Sequence, residues 1–375
     1  MVTQAPVRVV VVDDSVVIRR VLTDLLQSDP DVEVVATASN GKLGLEKIRR
    51  SKPDIVVLDI EMPVMDGLAA LKELRHEFTD LPVLMFSTLT TRGGSATLDA
   101  LALGATDYLT KPDSLGGRER ALAAVREELL PKVKVLGRRR TRARRPEPLA
   151  GASSNGTTSA HSRRPRRPPA TARVDAVAIA VSTGGPKALQ DVIPRLPGGL
   201  AVPILCVQHM PPLFTGLLAE RLDRESAVTV VEAEDGMRIE AGTVYIAPGG
   251  RHMVVARRGA SPFIECNDDA PENSCRPSAD PLFRSVARRY GAHTLGVVLT
   301  GMGSDGCHGA QVIVDVGGEV IAQDEATSVV WGMPGAVVHA GIATSEVPLA
   351  RVVDEIVVRL LRGRAPAATG RGVRA

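Results

Sequence analysis

Residues 176–190 read AVAIAVSTGGPKALQ. An unbroken apolar run, Ala176–Val181, stops at Ser182; two glycines follow, and Pro186 opens a segment with helical spacing. A short apolar run closed by a turn is the pattern of a strand buried on both faces of a parallel sheet, and proline suits the first turn of the helix that follows. A strand–turn–helix of this kind cradles a phosphate, presents a nucleophile or merely reverses the chain. The phosphate reading is weakened because a phosphate-binding loop needs a hydroxyl after its lysine, and Lys187 is followed by Ala188.

The same alternation runs through both ends of the chain. In residues 1–135, RVVVVDD, VEVVATA, DIVVLDI, LPVLMFS and TDYLT read as five strands with helical segments between them, which predicts a doubly wound five-stranded parallel sheet of flavodoxin type. From Val174, strands are expected at DAVAIAVS, VPILCVQH, VTVVEAE, HTLGVVLT and GEVIAQD. Helices are expected after Gly185 and Pro212, at 279–290 with Ser278 as cap, at 308–316, near 334–340 and at 347–362. TVYIAPGGRHMVVARR reads as a β-hairpin turning at Pro248–Gly250. The second domain is therefore a mainly parallel, Rossmann-like α/β domain spanning 174–365.

Between them, residues 136–173 are dominated by Arg, Pro, Ser, Thr, Ala and Gly, a composition expected of a flexible tether; 366–375 read as a disordered tail. The stretch from Gly137 to Arg173 holds eleven arginines against the single Glu147, so the formal net charge of +3 hides two acidic folded domains. That argues against specific nucleic-acid binding, which wants a basic patch on a folded face. Aromatic residues make up only 2% of the chain, so the cores must be aliphatic. Four cysteines without a CxxC pair are too few for a disulfide scaffold. No apolar run approaches the roughly 18 residues of a membrane span or forms a signal peptide, and a cytoplasmic protein without membrane insertion is expected.

Ligands bind parallel sheets beyond the carboxyl ends of the strands. In the first domain that edge collects Asp13 and Asp14, Asp59, Ser87 and Lys111. Three crowded carboxylates repel unless a cation joins them, and their hard oxygens suit Mg²⁺. A free carboxylate oxygen can then accept a phosphoryl group, which Ser87 and Lys111 can hold. In the second domain the same edge collects Ser182, His209 and Asp305. A histidine removes the serine proton and a carboxylate orients the imidazole, the logic of a hydrolytic triad. The order Ser…His…Asp and the absence of GxSxG argue against an ordinary α/β-hydrolase. The glycines of TGMGSDG, Thr300–Gly306, let backbone N–H groups approach an oxyanion, and the two glycines after Ser182 read as clearance for a substrate carbonyl.

VVDDS, LDIEMPVMDG, MFSTLT and YLTKP resemble the receiver domain of bacterial response regulators. The resemblance implies that Asp59 is the phosphoacceptor, that Asp14, Asp59 and the Glu61 carbonyl ligate Mg²⁺ with Asp13 close by, and that Ser87, Tyr108 and Lys111 are switch residues. STGGP, QHMPP, AEDGMRI, YIAPGGRHM, RPSADPLFRSVA, LTGMGSDG and QDEATSVVWGMPGA resemble the chemotaxis protein-glutamate methylesterases of the CheB family. That resemblance implies a triad of Ser182, His209 and Asp305, an oxyanion site at the Met302 backbone, Thr183 beside the nucleophile, and no cofactor for ester hydrolysis. It further implies methylated chemoreceptor helices as substrate, receptor glutamine as a second substrate, and a chemotaxis histidine kinase as phosphodonor. Cys275 departs from the histidine often seen at its position, and Trp331 from a common phenylalanine. The competing expectation is a non-catalytic response regulator whose second domain only binds a partner.

Overall fold

A computed structural model describes residues 5–88, 90–111, 118–144, 173–258 and 261–362. The chain divides into two compact units, residues 1–161 and 162–375. Most of the expected tether, residues 145–172, and the expected tail, 366–375, lie outside the described residues. Among the described residues no helix is long and apolar enough to cross a membrane.

In the first unit β1 (Val7–Val12), α1 (Val16–Gln27), β2 (Val32–Ala38), α2 (Gly41–Ser51), β3 (Ile55–Asp59), α3 (Gly67–Glu77), β4 (Val83–Ser87), α4 (Thr91–Ala102) and β5 (Asp107–Thr110) alternate, and α5 (Arg118–Arg144) closes the unit. The strands lie in the order β2-β1-β3-β4-β5, all parallel. Helices cover both faces, which is why Val9–Val12, Ile55–Leu58 and Val83–Phe86 are buried without alternation. Each such side chain contributes about 1.5–3 kcal/mol on burial. Polar caps set the helix starts: the Ser15 hydroxyl accepts from Ile18 N–H, Asn40 from Leu43 N–H and Asp66 from Ala69 N–H.

The end of α5 departs from the composition-based boundary at 135. Leu129, Val133 and Leu136 recur at helical spacing and are buried, and a side chain at Gly137 would overlap Val7. The basic residues of this turn are partnered rather than merely solvated. Lys134 Nζ lies 2.9 Å from Asp29 and 3.0 Å from Asp31, Arg138 lies 2.6 Å from Asp31, and Arg140 donates to the Pro53 carbonyl. Composition cannot distinguish a solvated arginine run from one docked on acidic side chains.

The second unit continues with β6 (Ala176–Val181), α6 (Gly185–Val192), β7 (Ile204–Gln208), α7 (Phe214–Glu225), β8 (Thr229–Glu232), β9 (Thr243–Ile246), β10 (His252–Arg258), β11 (Ser261–Asn267), α8 (Ala279–Tyr290), β12 (Thr294–Val298), α9 (Cys307–Asp315), β13 (Glu319–Gln323), α10 (Met333–His339), β14 (Ser345–Val347) and α11 (Leu349–Leu361). Seven strands form a parallel sheet in the order β14-β13-β12-β6-β7-β9-β8. The chain starts in the middle, builds β7–β9 on one side of β6 and returns to add β12–β14 on the other. The carboxyl end of β6 is therefore the topological switch point, the expected binding crevice of an open α/β sheet.

The hairpin exists, but not where the sequence pattern put it. Its strands are β10 and β11, antiparallel from His252–Asn267 to Arg258–Ser261, while β9 joins the main sheet beside β7. Val244, Tyr245 and Ile246 are all buried, as a sheet-interior strand requires. The Pro248–Gly250 turn instead packs on the segment after His209: Gly249 N–H donates to Thr215 Oγ1 at 2.9 Å, and a β-carbon at Gly249 would overlap the Pro211–Pro212 backbone.

Candidate active site

Ser182, His209 and Asp305 follow β6, β7 and β12, three adjacent strands of the seven-stranded sheet. Ser182 is fixed by its backbone: its N–H donates to Thr300 O at 3.0 Å, and its carbonyl accepts from Gly185 N–H and from Gln208 Nε2 at 3.1 Å. The two glycines have work other than clearing a substrate. Gly184 stands at φ 74°, where a side chain is disfavoured, and a β-carbon at Gly185 would overlap Gln208 Oε1. Thr183 is buried, with its carbonyl accepting from Thr300 Oγ1 at 2.9 Å.

His209 is held through Nε2, 2.7 Å from Asp305 Oδ2, while Nδ1 faces Cys275 Sγ at 3.6 Å. Among the described residues no hydrogen bond joins Ser182 to the imidazole. Burial disfavours the charged ring, yet the Asp305 carboxylate overrides it and pushes the His209 pKa up to about 9. Burial also opposes ionisation of Asp305, but His209 and the donors around it bring that carboxyl down to about 2.

Those donors were not legible as site residues. Asp305 Oδ1 accepts from Ser278 Oγ at 2.7 Å, Asn273 Nδ2 at 2.8 Å, Gly306 N–H at 2.9 Å and Asp280 N–H at 3.2 Å, and Oδ2 accepts from Ala279 N–H at 2.6 Å. The carboxylate thus sits on the N-terminus of α8, where the helix dipole favours an anion. Ser278 occupies the cap position as expected, but its hydroxyl bonds Asp305 rather than its own helix. Asn273, Cys275 and Asp280 also surround the pair. A run of hydroxyl, amide, thiol and carboxylate side chains before a helix was the available signal, and it reads equally well as an ordinary loop.

The loop after β12 brings Gly301 beside the serine. Gly301 N–H donates to Val330 O at 2.9 Å, and Gly301 O accepts from Gly332 and Met333 N–H at 3.0 and 2.9 Å. A β-carbon at Gly301 would come 2.9 Å from Ser182 Cβ and overlap Met333 Sδ. The Met302 N–H has no hydrogen-bond partner among the described residues. Trp331 packs in the same region, its indole N–H donating to Gln323 O at 3.0 Å.

In the first unit, Asp13, Asp14 and Asp59 bring carboxylate oxygens within 4.8 Å of one another. Lys111 Nζ lies 3.1 Å from Asp13 Oδ2 and 2.8 Å from Asp59 Oδ2. Burial pushes the Asp59 pKa up to about 6 in spite of Lys111. The oxygen-only donor set, with more negative charge than one lysine balances, fits a hard divalent cation. Glu61 N–H donates to Asp59 Oδ1 at 3.3 Å, which brings the Glu61 peptide to the pocket. Ser87 Oγ donates to the Gly93 carbonyl of α4 at 3.1 Å. Tyr108 is buried, with Lys132 Nζ 5.7 Å from its ring centroid and bonded to its carbonyl, and burial raises its hydroxyl pKa.

The fold and these two edges define a class: a receiver unit joined to an α/β hydrolytic unit. Residues 9–120 match the response regulator receiver domain and residues 177–356 match the CheB methylesterase. A protein-glutamate methylesterase/protein-glutamine glutaminase of Nocardioides sp. is 49% identical over 96% of this chain and 96% of that protein. One from Trichodesmium erythraeum is 45% identical over 94% of this chain and 99% of its own length. The catalytic domain of the Thermotoga maritima CheB methylesterase is 42% identical, covers 49% of this chain and 98% of that structure, and gives a TM-score of 0.49. The chain belongs to the CheB methylesterase family.

Proposed function

We propose that this chain is a phosphorylation-activated, cytoplasmic serine hydrolase that demethylates glutamate γ-methyl esters on chemoreceptor helices and deamidates receptor glutamines. The observation that carries the reading is the His209–Asp305 pair at 2.7 Å, on strands flanking the one that ends at Ser182. Because Nε2 is committed to Asp305, Nδ1 is the nitrogen that takes the serine proton. The Ser182 hydroxyl oxygen attacks the ester carbonyl as His209 removes its proton, and the Met302 N–H receives the developing oxyanion. Collapse expels methanol, which leaves with the proton from His209. Water then adds to the acyl-enzyme with His209 again as base, releasing the glutamate carboxylate and restoring Ser182. Attack on a glutamine side chain follows the same course with ammonia leaving. The Ser182–His209 bond closes when substrate is seated.

In the receiver unit, Asp14, Asp59 and the Glu61 carbonyl would hold Mg²⁺, with Asp13 close by. When bound, the ion supplies charge neutralisation at the transferring phosphoryl group. Asp59 accepts that group from a histidine kinase. Lys111, already bonded to Asp59, and Ser87 hold its oxygens, and release of Ser87 from Gly93 together with Tyr108 transmits the change.

The test is methanol release from methylated receptor by the full chain, with and without a small-molecule phosphodonor. Wild type should respond to the phosphodonor, Asp59→Asn should not, and Ser182→Ala should release none. Methanol release by Ser182→Ala would overturn the assignment of the nucleophile. Partner binding without any methanol release by wild type would favour the non-catalytic alternative.

A further inference from the structure

The His209 ring has two nitrogens. Nε2 is taken by Asp305, and the other, the one a serine nucleophile needs, is met by Cys275 Sγ at 3.6 Å rather than by Ser182. Cys275 is half-buried. Its approach depends on an uncommon backbone: Asn273 and Ser274 stand at φ 52° and 61°, two consecutive non-glycine residues in the left-handed region. Such strain persists where its surroundings over-determine it.

Here they do. Asn273 Nδ2 donates to Asp305 Oδ1 at 2.8 Å and to Asp280 Oδ2 at 2.9 Å. Cys275 N–H donates to the Glu272 carbonyl at 2.9 Å, and Arg284 pairs with the Glu272 carboxylate at 2.9 and 2.5 Å. The strap Glu272–Cys275 is thus tied at both ends and touches both members of the pair, Asp305 through Asn273 and His209 through Cys275.

We propose that Cys275 is a positioning residue for the esterase reaction: its thiol partners His209 Nδ1 and holds the ring in register for Ser182. This rests on the assignment of Ser182 and His209 made above. A thiol is both a weak donor and a weak acceptor. It donates to the neutral imidazole and accepts from the imidazolium, so it serves the ring in both proton states of the cycle. Being weak, it yields Nδ1 to the serine at little cost.

Hydrogen bonding and packing separate in two substitutions. Cys275→Val removes the hydrogen bond and leaves an apolar side chain larger by about one methyl group. Cys275→Ser keeps a group that both donates and accepts. The assay is phosphodonor-activated methanol release from methylated receptor by the full chain, with kcat and KM resolved and melting temperatures recorded. Loss of one weak neutral hydrogen bond predicts that Cys275→Val lowers kcat about fivefold. KM should stay within about twofold, as expected for a loss outside substrate binding. Cys275→Ser should recover most of the loss. A Cys275→Val enzyme as fast as wild type overturns the proposal. So does an equal fall in the Val and Ser variants, or a fall with raised KM or a lowered melting temperature, each of which assigns the thiol to packing. A Ser182→Ala arm tells the two assignments apart: if it still releases methanol, the nucleophile assignment is what failed.

Discussion

Asp305 bonds His209 through one carboxylate oxygen at 2.7 Å and, with that oxygen and its partner, closes the N-terminus of α8 through the Ala279 and Asp280 N–H groups. One carboxylate therefore orients the imidazole and caps a helix. Asp305→Asn keeps the shape but turns one acceptor into a donor facing N–H groups. Loss of the orienting carboxylate costs on the order of 10⁴-fold in kcat in comparable triads. The same change should lower the melting temperature, because the helix loses its anionic cap. A variant with wild-type kcat would remove Asp305 from the mechanism, whatever its melting temperature.

The pair also sets a pH dependence. His209 is raised from the ordinary 6.5 to about 9, so its contribution to stability is full below 6.5 and is lost as the pH rises through about 9. Asp305 is lowered from 3.8 to about 2; its contribution is full above 3.8 and is lost as the pH falls through about 2. A base must be neutral to accept a proton, so kcat/KM should keep climbing between pH 6.5 and about 9 while the melting temperature begins to decline. A rate profile flat from pH 7 upward would contradict the raised histidine.

How much of this was readable beforehand follows from what kind of information each feature needs. Unbroken apolar strands and helical periodicity are local, so both parallel sheets and the edges bearing Asp59 and Ser182 were legible. Partner choice between strands is not local: β9 and β10 look like two arms of a hairpin around Pro248–Gly250, yet burial on both faces draws β9 into the sheet. Nor is the surrounding of the Asp305 carboxylate. Asn273 and Ser278 reach Asp305 across 32 and 27 positions of chain, and nothing in their own neighbourhood marks them.

The basic end of α5 gives a stability test. Leu136 is only 1% exposed although it opens the arginine-rich stretch. Leu136→Ala should destabilise the receiver unit by about 2–5 kcal/mol, the usual range for a buried leucine truncation. Urea unfolding that isolates the receiver transition measures it. An unchanged midpoint would mean that the unit ends before Leu136, as composition alone suggests.

The Gly301 loop gives the sharpest geometric test of the proposed oxyanion site. Gly301 O is bonded to Gly332 and Met333 N–H, Gly301 N–H is bonded to Val330 O, and its α-carbon lies against Ser182 and Met333. A methyl group there cannot fit without moving the loop, because the added carbon would meet Met333 Sδ on one side and Ser182 Cβ at 2.9 Å on the other. The displaced element carries the Met302 N–H, which has no partner among the described residues. Removing one oxyanion donor costs about 10²–10³ in kcat, and Gly301→Ala should fall in that range with KM little changed. Trimming the obstacle in Gly301→Ala/Met333→Ala should restore part of the rate, because the loop can then return toward its place. No loss in the single variant, or no recovery in the double, would show that the Met302 N–H does not hold the oxyanion.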